Sequence, residues 1–158
     1  MAHTPPPILF IIFNRPDTTA RVFEAIREAQ PAKLFIAADG PRKNRPGETE
    51  LCKQTRLITE NVDWPCEVYR KYQTSNLGCK RGPIVAIDWL FEHEKNGIIL
   101  EDDCLPNPSF FAFCAELLEH YADDERIMHI SGNNFQFGCA RGSASYYFSK
   151  YTLSWGVC

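Results

Sequence analysis

The stretch Gly97-Ile98-Ile99-Leu100-Glu101-Asp102-Asp103 runs from aliphatic residues straight into three consecutive carboxylates, with Pro106 close behind. A continuous β-branched and aliphatic run is the pattern of a parallel strand buried on both faces. In open α/β sheets, ligands collect at the carboxyl ends of such strands. Three adjacent like charges repel, so burying them is costly unless a cation or a set of donors compensates. A divalent metal held by one or two carboxylates together with phosphate oxygens supplies that compensation. The plainer alternatives are a solvated acidic turn, or one aspartate capping the helix that Pro108 opens. The strand-end position and the rest of the chain favour the ligand-binding reading.

Upstream, Pro5-Pro6-Pro7 leads into Ile8-Leu9-Phe10-Ile11-Ile12-Phe13, a second fully buried strand by composition. Asn14-Arg15-Pro16-Asp17 breaks it, and Asp17 is the expected N-cap of a helix carrying Val22, Ile26 and Ala29. Gln30-Pro31 stops that helix, and Lys33 to Ala38 reads as a strand ending at Asp39-Gly40-Pro41. Leu51, Thr55, Ile58 and Val62 then fall at helical spacing, and Glu67 to Tyr72 alternates like a more exposed strand. Asn76-Leu77-Gly78-Cys79-Lys80-Arg81-Gly82-Pro83 opens a further helix, with Pro83 near its first turn and Ile84, Ile87 and Phe91 as its apolar face. Past the acidic run, Phe110, Cys114, Leu117 and Tyr121 mark another helix. Ile127 to Ile130 reads as a last strand, and Ser131-Gly132-Asn133-Asn134 as a loop. This alternation predicts a three-layer α/β/α fold, with a mostly parallel central sheet and helices on both faces.

Residues 1–158 are expected to form a single domain, large enough to bury a real core. The 44% apolar and 23% charged content is ordinary for a globular protein. A formal charge of −3 argues against a general nucleic-acid or anionic-membrane binder. No apolar run is long enough to span a bilayer and no signal peptide is visible, so the expected compartment is cytoplasmic. The seven cysteines are odd in number and form no Cys-x-x-Cys pair, and the four histidines show no ligand spacing. Reduced thiols, buried or partly buried, are the expected state.

Other strand ends carry polar groups that such a sheet would bring near Asp103. Asn14 and Arg15 follow the first strand, Asp39 follows the second, and Lys80 and Arg81 lie at a helix start. Helix-terminal amides and flanking cations attract anions, so a basic helix start opposite an acidic metal turn can hold a diphosphate between them. Asp39 is placed to accept hydrogen bonds from a base or ribose. Each residue has a plain reading alone, as surface charge or turn former; their joint occurrence at successive strand ends is what points to a site. No Gly-x-Gly-x-x-Gly, Walker-type loop or Gly-x-Ser-x-Gly elbow is present, and His93-Glu94 lacks the second histidine of a zinc-protease helix.

Ile8 to Arg15, Ala38-Asp39-Gly40, Asn76-Leu77-Gly78, Ile98 to Asp103, Pro108-Ser109-Phe110-Phe111 and Ile130-Ser131-Gly132-Asn133 together resemble the nucleotide-sugar half of a GT-A glycosyltransferase. Their order is similar to that in the N-acetylglucosaminyltransferases that begin hybrid and complex N-glycans, and in bacterial family-2-type sugar transferases. Glu101-Asp102-Asp103 corresponds to the Asp-x-Asp-type signature of these enzymes. The resemblance implies a metal-dependent transferase that passes a sugar from a nucleoside-diphosphate donor to a saccharide or other hydroxyl acceptor. It implies Asp103 as direct ligand of Mn2+ or Mg2+, Asp102 reaching the ribose or sugar, and Glu101 orienting the turn. Asp39 would meet the base, and Arg15 the nucleotide. A non-catalytic nucleotide-sugar binder is the alternative. A sugar-phosphate nucleotidyltransferase is a third reading, weakened by the missing Gly-rich phosphate loop.

The last residues, Tyr146-Tyr147-Phe148 and Tyr151 to Cys158, are aromatic with no polar tail. Large apolar groups need something to pack against, so the domain is expected to be incomplete at its C-terminus and prone to self-association there. Asp123, Asp124 and Glu125 look like a solvated helix end, which puts the expected catalytic base beyond Cys158.

Overall fold

The structure is a computed structural model and describes residues 5–133, 139 and 142–151. The elements in chain order are β1 (Ile8–Ile12), α1 (Pro16–Ala29), β2 (Lys33–Ala38), α2 (Glu48–Ile58), β3 (Glu67–Tyr72), α3 (Gly78–Phe91), β4 (Ile98–Glu101) and α4 (Pro108–His120). The four strands form one sheet in the order β3-β2-β1-β4, and every pairing is parallel. Four parallel strands joined through helices make a Rossmann-like α/β fold. The strand order reverses beside β1, which has β2 on one side and β4 on the other. Ile11 therefore sits level with both Ala37 and Glu101.

Alternation along the strands divides the core into two layers. Ile8, Phe10 and Ile12 point to one face with Leu34, Ile36, Ile98 and Leu100. There they meet Val22, Phe23 and Ile26 of α1 and Phe110, Phe111 and Cys114 of α4. Leu9, Phe35, Ala37 and Ile99 point to the other face and meet Ala86 and Leu90 of α3. Burial of each such large aliphatic or aromatic side chain contributes about 1.5–3 kcal/mol. Because β1 and β2 are covered on both faces, their runs are apolar except for Lys33 at the start of β2, whereas edge strand β3 is only partly buried.

Several expectations are corrected. Residues 127–130 form no strand; Met128 is 94% exposed, and only Ile130 of that segment is buried. The N-cap of α1 is Arg15, not Asp17, because Pro16 takes the first helical position, where its missing N–H costs nothing. Pro83 lies in the second turn of α3, whose N-terminus is set by Gly78 at φ +82°. The buried residues of α3 are Ala86 and Leu90, while Ile84 and Phe91 stay half exposed. Helix α2 ends at Ile58, and Val62 reaches the core from the following loop. Cys79 and Cys139 are exposed rather than buried. Among the described residues, no helix is long and apolar enough to cross a membrane. Residue 134 of the expected loop and 152–158 of the aromatic end lie outside the described residues.

Candidate functional site at the carboxyl edge of the sheet

The acidic turn closes against the end of β1. Asp102 is buried; its Oδ2 accepts the Phe13 backbone N–H at 3.1 Å, and its Oδ1 accepts from Arg15 Nη1 at 3.2 Å. The same Nη1 donates to Asp103 Oδ2, so one guanidinium nitrogen bridges two neighbouring carboxylates. Burial works to lower the Arg15 pKa, but the charges of Asp102, Asp103 and Glu101 and the bond to Asp103 outweigh it and raise the pKa. Burial pushes the Asp102 carboxyl upward against the opposing Phe13 N–H and Arg15. Glu101 is raised by burial and then by its two acidic neighbours, and its backbone carbonyl accepts the Cys104 N–H at 3.1 Å. Oxygens of Glu101 and Asp103 and the Cys104 sulfur lie within 4.8 Å of one another. Burial carries the Cys104 thiol up to about 11, so it stays protonated at neutral pH. None of the three acidic residues caps α4; Asn107 does, accepting the Ser109 N–H at 3.0 Å.

At the end of β2, Asp39 serves a role the sequence did not disclose. Its Oδ1 accepts the backbone N–H groups of Gly40 and Leu77, both at 2.8 Å. Its Oδ2 accepts Asn76 Nδ2 at 2.9 Å and the Gly78 N–H at 3.1 Å. A carboxylate offers about four acceptor positions, and four donors already use them. Asp39 thus places a negative charge on the N-terminus of α3, where no residue of the helix itself provides a cap. Gly40 permits this closeness: an added Cβ would lie 2.5 Å from the Ser75 backbone nitrogen.

Asn14 also bonds within the protein. Its Nδ2 donates to Glu48 Oε1 at 3.0 Å, and Glu48 is buried at the start of α2. Glu48 accepts the Arg42 backbone N–H at 2.7 Å and the Arg42 side chain through Nε and Nη2. Hydrogen bonding from the Arg42 side chain leads the causes that bring the Glu48 pKa down to about 2. Arg42 in turn lies over the Phe13 ring at 5.6 Å. The loop after β2 is thereby tied to the end of β1.

Between these two ties opens a cleft of about 450 Å³ along the carboxyl ends of the strands. Arg15, Asp39, Glu101 and Asp102 line it. Asp103 is half exposed beside it. Lys80 and Arg81 are exposed residues of α3 and do not line the cleft. Sequence reasoning missed Arg42, Lys71, Gln73 and Asn76, which do line it. Lys71 could have been found from period-2 alternation, since it shares the face of Tyr69, which stacks on Phe35 at 4.6 Å. Arg42 could not, because only the folded loop brings it back to Phe13. Gly78, Gly82 and Ala86 keep the α3 wall of the cleft free of bulk.

A scan against family models finds no match for the chain, and a search of curated proteins finds none either.

Proposed function

We propose that this chain is the donor-binding unit of a metal-dependent, GT-A-like nucleotide-diphospho-sugar transferase. The observation that carries the reading is the cleft at the carboxyl edge of an all-parallel sheet, with the acidic turn at the point where strand order reverses. Open α/β sheets bind nucleotides at such a switch point. From β3 to β4 the edge spans three strand spacings, about 14 Å, which suits an extended nucleoside diphosphate lying along it. The base then lies toward β2 and β3, and the diphosphate toward β1 and β4.

The donor set suits a hard divalent cation. Glu101 and Asp103 offer carboxylate oxygens, which Mg2+ and Mn2+ prefer, usually one or two per ion with phosphates completing the shell. Cys104 offers a soft sulfur, which hard ions such as Mg2+ disfavour. When bound, the metal supplies Lewis-acid neutralisation of charge on the departing nucleoside diphosphate. Arg15 adds a cation to the same end of the cleft. Asp102 holds Arg15 and the Phe13 amide in place, and Asp39 positions the α3 wall instead of offering free acceptors to a base.

A specific observation favours the second reading, a nucleotide-sugar binder without catalysis. Asp123, Asp124 and Glu125 follow α4, whose 13 residues run about 20 Å from the acidic turn. Asp124 is spent on Arg126, at 2.7 Å. No described acidic residue after α4 is therefore in reach of an acceptor at the cleft. Calorimetry with a panel of nucleoside-diphosphate sugars, with and without Mn2+, tests both readings. Metal-dependent binding of a nucleoside-diphosphate sugar supports them, and turnover with an acceptor separates them. Failure of every donor in the panel overturns both. Pyrophosphate release from a nucleoside triphosphate would indicate a nucleotidyltransferase.

A further inference from the structure

We infer that Arg15 is the resident counter-ion of the acidic turn, and that it is exchanged for the donor's metal, leaving its guanidinium to meet the diphosphate that arrives with that metal. The inference rests on the proposed donor site and deepens it, because it states how the site stays closed to a bare cation. A single nitrogen of Arg15 bonds both Asp102 and Asp103, and Asp103 is also an oxygen donor of the candidate metal set. Arg15 and a divalent ion compete for the same negative charge on Asp103, and the two cations repel each other there. Metal entry therefore weakens the bond from Arg15 to Asp103 and favours its release.

The released side chain is already in place. Arg15 lines the cleft, is 53% exposed, and follows β1 at the strand-order reversal where the diphosphate end of the donor is placed. Its planar fork suits phosphate oxygens, which it binds in preference to an isolated carboxylate that a divalent ion has claimed. Asp102 remains anchored by the Phe13 N–H, so the turn keeps its shape during the exchange. The Glu101 carboxylate, within 4.8 Å of the Asp103 oxygen, completes the set for the incoming ion. Metal and diphosphate thus promote each other's binding, and each binds weakly alone. The coupling is reciprocal, as linkage requires.

The test measures Mn2+ affinity by the electron paramagnetic resonance signal of free Mn2+, without nucleotide and then with a saturating nucleoside diphosphate. Wild type, Arg15→Gln and Arg15→Lys are compared. Arg15→Gln is expected to bind bare Mn2+ at least about tenfold tighter than wild type, a change equivalent to about 1.4 kcal/mol. It should also lose most of the gain that the nucleotide gives. Arg15→Lys retains the charge and should behave as wild type toward bare Mn2+. Equal or weaker bare-Mn2+ binding by Arg15→Gln, in protein whose circular dichroism matches wild type, overturns the exchange while nucleotide-dependent Mn2+ binding by wild type upholds the donor site. Tighter bare binding by Arg15→Gln with no nucleotide effect in any protein upholds the exchange and overturns the donor site. If Arg15→Gln does not fold, wild type decides: guanidinium proton resonances of Arg15 that do not move when the protein is saturated with Mg2+ overturn the exchange.

Discussion

Replacing Asp39 by asparagine is the most informative single change in the fold. Asparagine matches aspartate in volume but turns one acceptor oxygen into a donor. Whichever oxygen is lost, two of four hydrogen bonds go: those from Gly40 and Leu77, or those from Asn76 and Gly78. Hydrogen bonds to a charged group are worth roughly 1.5–3 kcal/mol each. The anion at the α3 N-terminus adds about 0.3–1 kcal/mol. The site borders an open cleft, so water recovers part of the loss, and the net destabilisation comes to about 2–4 kcal/mol. At about 2–4 °C per kcal/mol for a chain of this size, the melting temperature should fall by roughly 5–15 °C. Thermal and urea unfolding without ligand measure this directly. A variant that melts within about 2 °C of wild type, yet loses nucleoside-diphosphate binding, would refute the reasoning, because Asp39 would then face the ligand and not the helix.

Gly40→Ala should lose about 1–3 kcal/mol by overpacking, since its Cβ would fall 2.5–2.7 Å from the Ser75 backbone; urea midpoints test it, and an unchanged midpoint counts against the tight approach of these loops. Glu48 has a folded pKa of about 2 against 4.5 for the free group, so its stabilising contribution is present above pH 4.5 and lost as pH falls toward 2. Glu48→Gln should flatten the stability profile across that window, and a profile identical to wild type would show that the Arg42 pair is not formed. Asp103→Ala should abolish Mn2+-dependent nucleotide binding while leaving the sheet folded, because Asp103 is half exposed and its loss relieves like-charge repulsion; metal-dependent affinity equal to wild type would sink the ligand assignment.

Four strands and four helices were legible because each carries its own pattern. Buried runs such as Ile8 to Ile12 need no partner to be recognised, and Pro108 after Asn107 announces α4. The segment Ile127 to Ile130 shows the limit. Its apolar residues satisfy a strand pattern, but a strand forms only where an edge accepts its ladder, which no local pattern encodes. The apolar stripe of α3 misled for a related reason: Ile84 and Phe91 recur at helical spacing, yet the smaller Ala86 and the neighbouring Leu90 fit the space over β1 and β2. At the site, strand-end residues were found because topology alone carries them there. Their bonding partners were not, since Asp39 with α3, Asn14 with Glu48 and Arg15 with Asp103 join positions 34–88 residues apart. Lys80 and Arg81 lie off the cleft because a helix start has two sides, and only the fold decides which one faces it.

The most direct test of the donor site is paramagnetic broadening of backbone amide resonances by Mn2+ in the presence of a nucleoside diphosphate. The proposed site requires strong broadening of residues 101–104 and 13–15, weaker effects toward Lys71 and Gln73, and none at Asp124 beyond α4. Broadening centred on residues 123–125, or none at the acidic turn with nucleotide saturating, would contradict it.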